Sequence, residues 1–199
     1  SSVALNRVLS TDPSQIYGQI NANGQVYLVN PAGVYFSPGA AVNVGGIVAT
    51  THQMADADFM VGKTSFERNG ATGSVINEGH IQTALGGYIA MLAPEVRNSG
   101  VLVAQSGTVA LAAGERITLN FAAASGGQSK LDSLTVTAAQ MDTLVENRQA
   151  VRAPNGLIVL SAQAASQLAA SVINSGTLEA QGVSQVGGRI VLDAGAGAG

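Results

Sequence analysis

No cysteine, no tryptophan and little charge leave this chain few routes to chemistry. Without cysteine there is no disulfide, no thiolate nucleophile and no sulfur ligand for a metal, so burial and hydrogen bonds alone must hold the fold. The same absence suits a chain that crosses membranes unfolded. Charged residues make up 11% and aromatics 4% of the chain, with a net charge of −3. The basic residues are scattered, which excludes the basic patch that nucleic-acid binding requires. No apolar run reaches the roughly 20 residues needed to span a bilayer. No basic, apolar and small-residue signal sequence stands at the start, so an export signal is expected upstream of Ser1 or already removed.

What the chain has in quantity is small and aliphatic. Hydrophobic residues make up 46% and glycine numbers 25, a composition that suits narrow, regular cores. One domain over residues 1–199 is expected, burying about 70% of the unfolded surface. Two stretches align without a gap. Val75-Ile76-Asn77-Glu78-Gly79-His80-Ile81 leads to Gly86-Gly87-Tyr88-Ile89-Ala90-Met91-Leu92, and Val96-Arg97-Asn98-Ser99-Gly100-Val101-Leu102 leads to Gly107-Thr108-Val109-Ala110-Leu111, with 21 residues between Asn77 and Asn98. A third copy, Val172-Ile173-Asn174-Ser175-Gly176-Thr177-Leu178, reaches Gly187-Gly188-Arg189-Ile190-Val191-Leu192 across about four extra residues, which should loop out.

A repeat this short cannot bury its own apolar face, so successive copies must stack and share one core. Each copy holds short β-branched runs separated by Asn-x-Gly or Gly-Gly, which supply the sharp corners. Short strands plus corners, repeated, make an all-β parallel β-helix; an antiparallel sandwich is the alternative. Alternate residues should face inward, Val26, Leu28 and Ile20 on one coil, Ile89 and Met91 on another. Asn77, Asn98 and Asn174, at equivalent corners, are read as a structural ladder of amides and not as binding residues.

Three segments break the period. Thr135 to Gln149 carries Ala138, Met141, Leu144 and Val145 at helical spacing after a candidate N-cap at Thr137, which predicts a helix over 135–149. Ser161 to Ser171, with Ala164, Ala165, Leu168 and Ala169 on one face, predicts a second. His52 to Arg68, more charged and aromatic than its surroundings, predicts an excursion from the stack that shields a flank or edge. The low-complexity end from Asp193 offers no capping element, so the native chain is expected to continue.

The run Gly24-Gln25-Val26-Tyr27-Leu28-Val29-Asn30-Pro31-Ala32-Gly33-Val34-Tyr35-Phe36-Ser37-Pro38-Gly39-Ala40 resembles the Asn-Pro-Asn-Gly motif region of the haemagglutination-activity domain. That domain is the amino-terminal module of large exoproteins exported by two-partner secretion in Gram-negative bacteria. Ser1 to Val8, Pro13 to Ile20 and Val44 to Thr51 are similar to its second half. Met141 to Asn147 and Leu168 to Gly176 look like the region C-terminal to that module in filamentous-haemagglutinin-like exoproteins. The resemblance implies a right-handed parallel β-helix with short helices outside the stack. Residues 1–70 would be the second half of the secretion module, lacking its first strands, and 71–199 continuing coils. It further implies recognition by an outer-membrane transporter of the Omp85 type, a secreted or cell-surface location, and adhesion to a host or bacterial receptor, glycans included. Asn30, Pro31, Ala32 and Gly33 are the motif residues; Ala32 stands where the family has Asn, so any side-chain bond from there is lost while the turn chemistry stays.

No catalytic constellation, cofactor site or metal site is legible. Asp56 and Asp58 would share a face if on a strand and could hold a cation or cleave a glycoside, but a solvated pair is the better reading. His52 and His80 have no metal-ligand spacing and are read as surface or corner residues. The Gly-Gly steps are corners, not phosphate cradles. A non-enzymatic scaffold is therefore expected, against a carbohydrate-active β-helix enzyme or a fibre subunit that self-associates end to end.

Overall fold

In the computed structural model, which describes residues 2–123, 129–182 and 188–196, the chain winds through three parallel sheets in turn. The first coil is β1 (Val3–Arg7), β2 (Ser14–Ile16) and β3 (Gln19–Asn21), and the second is β4 (Gln25–Val29), β5 (Val34–Phe36) and β6 (Ala41–Val44). The third runs β7 (Gly46–Thr50), then leaves the stack through α1 (Asp56–Met60) and β8 (Ser65–Glu67) before β9 (Ser74–Asn77) and β10 (His80–Thr83). The fourth is β11 (Tyr88–Leu92), β12 (Glu95–Asn98) and β13 (Val101–Val103). The fifth starts with β14 (Thr108–Ala113), leaves through β15 (Arg116–Ala123) and β16 (Ser129–Val136), and resumes with β17 (Thr143–Asn147) and β18 (Ala150–Arg152). β19 (Leu157–Ala164), β20 (Ala170–Asn174) and β21 (Thr177–Glu179) form the sixth, and β22 (Arg189–Ala196) comes next. The result is a parallel β-helix with a seven-stranded first sheet, β1-β4-β7-β11-β14-β19-β22, and two six-stranded ones.

In-register pairing turns sequence period into stacked columns. Val26, Ile47, Ile89, Val109 and Ile158 lie one above another in the first sheet. Val34, Val75, Val96, Val145 and Val172 do so in the second sheet, and Val42, Ile81, Leu102, Val151 and Leu178 in the third. These residues make the inner core, with Ile20, Leu28 and Met91 among them.

The first sheet is buried on its outer face as well. Tyr27, Val48, Tyr88, Ala90, Leu92, Ala110 and Ala112 point away from the helix interior into a second core. A three-stranded antiparallel sheet, β16-β15-β8, supplies Phe66, Ile117, Leu119 and Leu131 from the other side. Burial on both faces explains why Tyr88–Leu92 and Thr108–Ala113 contain no solvent-facing position.

The helices predicted over 135–149 and 161–171 are not formed. Thr137 to Asp142 is a connection into β17, in which Thr143, Val145 and Asn147 alternate inward. Ser161 to Ala164 completes β19, with Ala162 in the inner core and Ala164 buried as well. Pairing with neighbouring coils outweighs local helix propensity of a few tenths of a kcal/mol per residue. The helix that does form, α1, lies in the 52–68 excursion, and among the described residues no helix is long and apolar enough to cross a membrane. The glycine-alanine end is ordered through Ala196 by pairing with β19. The insertion foreseen before Gly188 falls at 183–187, outside the described residues.

Candidate functional site

The motif residues build one turn between β4 and β5. Asn30 is buried, and its Oδ1 accepts the Ala32 N–H at 2.9 Å while the Gly33 N–H donates to the Asn30 carbonyl at 2.9 Å. Pro31 sits at the position where its fixed φ favours a turn. Gly33 has φ of 130°, and a Cβ there would meet the Ser74 carbonyl at 3.2 Å, so glycine is required on both grounds. The Asn30 Nδ2 reaches the preceding coil, donating to the Asp12 carbonyl at 3.0 Å and Ser14 Oγ at 2.9 Å. The turn is thus tied to two coils, with Pro31 and Ala32 half-buried at its tip.

At the corners that end β9, β12, β17 and β20 of the second sheet the asparagines meet. The Asn77 Nδ2 donates to Asn98 Oδ1 at 2.8 Å, Asn98 to Asn147 at 2.8 Å, and Asn147 to Asn174 at 2.7 Å. Each amide also donates to a carbonyl two residues on: Gly79, Gly100, Gln149 and Gly176. Asn77, Asn98 and Asn147 are fully buried, and only Asn174 is exposed. The sequence reading missed Asn147, because Gln149 stands where the other corners have glycine.

Several charged side chains on the flanks pair with one another. Arg97 donates to Glu95 at 2.5 Å and Glu146 at 2.6 Å, and Arg148 to Glu146 at 2.8 Å. The Arg148 hydrogen bond, with the nearby guanidiniums, holds the Glu146 carboxyl below the ordinary glutamate value. Asp56 and Asp58 lie on α1, not on a strand, and face different partners: Arg7 at 2.7 Å and Lys63 at 3.3 Å. They share no site. A cleft of about 520 Å³ opens beside them on the outer face of the first sheet, lined by Tyr27, Phe59, Tyr88, Phe121, Gln25 and Lys63 among others. Tyr27 and Tyr88 join hydroxyls across its floor at 3.0 Å, and the Tyr88 O–H donates to Gln25 Oε1 at 2.7 Å. No group of metal-binding side chains occurs among the described residues.

His80 is exposed at a corner, whereas His52 is not a surface residue. It is fully buried under the outer sheet, its Nε2–H donating to the Gly114 carbonyl at 2.8 Å. The acceptor fixes the tautomer, leaving Nδ1 as a bare lone pair with no partner. Protonation would put an unpaired N–H in that position, and burial accordingly pushes the imidazole below its ordinary value of 6.5. The unfolded chain then binds a proton that the folded one refuses, so stability is full above pH 6.5 and declines as pH falls below it, by up to about 1.4 kcal/mol per pH unit until the folded value is reached. His52→Gln, which keeps a donor for Gly114, is expected to flatten the decline of urea-denaturation stability as pH falls below 6.5; an unchanged slope would assign it to another group. The loss due to Glu146 lies in a separate window, below pH 4.5.

In-register coils, a tied motif turn and an extra-helical antiparallel layer together make a β-helical module. The chain belongs to the TPS secretion domain family, whose sequence model matches residues 1–199. It is similar to a heme/hemopexin-binding protein of Haemophilus influenzae (strain ATCC 51907 / DSM 11121 / KW20 / Rd), 33% identical over 202 residues that cover 98% of this chain and 21% of the relative. A second heme/hemopexin-binding protein from Haemophilus influenzae is 41% identical over 78 residues, 39% of this chain and 8% of that protein. Among solved structures, the HMW1 secretion domain from Haemophilus influenzae superposes with a TM-score of 0.83 at 28% identity, covering 96% of this chain and 48% of that one. The chain therefore spans at most about a fifth of the curated relatives. Proteins with this domain are exported, secreted or surface-exposed, and the domain implies a cognate outer-membrane transporter.

Proposed function

We propose that this domain is the transporter-recognised part of a larger, non-enzymatic exoprotein that is held at or released from the cell surface and acts by adhesion or capture. The observation that carries the reading is the family match over all 199 residues. Relatives with different printed roles share the module: one is called a heme/hemopexin-binding protein, the other a secretion domain of HMW1. The shared part thus accounts for export, and the ligand belongs to the remainder of each exoprotein. A non-enzymatic role is supported by the pairing of the α1 aspartates with Arg7 and Lys63, by the burial of His52, and by the cleft, where Lys63 is the charged lining residue among the described ones. A glycosidase would need two carboxyl groups about 5 to 9.5 Å apart across such a cleft.

Within the domain, the half-buried tip of the Asn30–Gly33 turn is the proposed point of transporter contact. The test is co-expression with the cognate transporter and assay of the medium. The domain is expected outside the cell only when the transporter is present. Ala32→Lys leaves the Ala32 N–H on Asn30 untouched and should keep the denaturation midpoint while lowering export several-fold. Export equal to the parent would remove the motif tip from recognition, and transporter-independent release would sink the reading as a whole.

A further inference from the structure

The two cores close in different ways. The inner core is built from contacts between adjacent coils and can grow one coil at a time. The outer core cannot, because its covering sheet comes from two excursions separated by the whole of the fourth coil. β8 leaves from the third coil and is only three residues long. Its ladder partner is β15, with Ser65, Phe66 and Glu67 opposite Thr118, Ile117 and Arg116. Arg7 of β1 holds the α1 end of the first excursion through Asp56 and the Met54 carbonyl, while the β8 end is seated by polar bonds from the second excursion. The Arg68 Nε donates to Glu115 at 2.8 Å, the Arg116 Nε to Glu67 at 2.8 Å, and the Leu119 N–H to the Thr64 carbonyl at 2.9 Å. His52 is anchored by Gly114, 62 residues later. Isolated strands of this length are not stable in water.

From this we infer that the antiparallel layer is a clasp, closing in one late step when β15 and β16 dock and capture β8, and leaving the outward face of β4, β7 and β11 open until then. The open face is apolar: Phe59 and Phe66 of the first excursion reach Tyr27, whereas Tyr88, Ala90 and Leu92 have no cover from their own coil. The fourth coil goes from β11 to β12 with no excursion of its own, so nothing between residues 68 and 115 can substitute. The clasp is thus a sub-global unit of its own, opening and closing over coils that stay stacked beneath it.

The absence of tryptophan and cysteine makes the test direct. Phe121 packs edge-on against Tyr88 with ring centres 5.1 Å apart, so Phe121→Trp reports closure, while far-UV circular dichroism reports the sheets. On refolding the 199-residue chain from urea, the dichroism should recover first and the tryptophan signal in a slower phase. Ser65 and Thr118 face each other with hydroxyls 3.2 Å apart and are 53 residues apart in sequence. Oxidised Ser65→Cys/Thr118→Cys therefore prepays loop closure and should speed the slow phase on the order of tenfold. One shared rate constant for both probes, unaltered by the tether, overturns the inference. Native-state hydrogen exchange on the unaltered chain decides independently of any variant: amides of β8, β15 and β16 should open together at lower urea than those of β11 and β14. Exchange of all five only with global unfolding also overturns it.

Discussion

Asn98→Ala is expected to destabilise the domain by about 4 kcal/mol, since each buried polar group left without a partner costs roughly 1–3 kcal/mol. Asn98 is the middle of the ladder. Its Oδ1 takes the Asn77 amide, and its Nδ2 serves both Asn147 Oδ1 and the Gly100 carbonyl. Truncation leaves a donor on one side and acceptors on the other in a site with no exposure. Asn174→Ala, at the exposed end of the same ladder, loses the same chemistry where water can replace it and should cost under about 1 kcal/mol. The gradient between the two is the test, read as urea midpoints at constant m-value. Equal costs at both positions would mean that the amides act locally at their own corners and not as a ladder.

The period of the inner core was legible because parallel, in-register stacking writes itself into sequence as a repeat: Val75 over Val96, Ile89 over Val109. Asn147 escaped with Gln149 in place of glycine; the β15–β16 excursion stretches the ladder step before it to 49 residues, and the longer β19 with its connection to β20 stretches the step after it to 27, from the 21 of the first step. The false helices share one cause. In narrow coils alanine and threonine fill inward positions, and three- or four-residue spacings arise by chance where Ala162, Ala164 and Val145 in fact follow a period of two. The outer core left a signal that went unused. Tyr88–Leu92, Val109–Ala113 and Leu157–Leu160 are unbroken apolar runs, the mark of strands buried on both faces, whereas a solenoid open to water would alternate. Arg116-Ile117-Thr118-Leu119-Asn120 alternates as a one-sided cover should. What could not be read locally is that β8 pairs with a strand beyond the next coil.

A loss of comparable size is expected from Gly107→Ala, which carries the sequence's repeated corner glycines to their physical reason. At the turn into the first sheet, glycines from successive coils lie in a column. The Thr108 N–H donates to the Gly87 carbonyl at 3.1 Å and the Leu157 N–H to the Gly107 carbonyl at 2.9 Å, so each carbonyl points along the helix axis at the next glycine. A Cβ on Gly107 would stand 1.9 Å from the Gly87 oxygen, and one on Gly156 would stand 2.0 Å from the Gly107 oxygen. The obstacle is backbone on both sides. It cannot rotate away as a side chain would, and the coils cannot part without losing ladder bonds, because hydrogen-bonded strands must stay about 4.8 Å apart. The expected loss exceeds about 3 kcal/mol, beyond ordinary overpacking. Gly18→Ala, with nothing within 4 Å of the new atom, should be neutral or stabilise by up to about 1 kcal/mol. Because each coil rests on its neighbours, the damage at Gly107 should spread along the axis, raising hydrogen exchange in β11, β14 and β19 before β3 and β6. If Gly107→Ala unfolds at the parent's urea midpoint, the corner can open without cost and the close-packed column does not set the spacing of the coils.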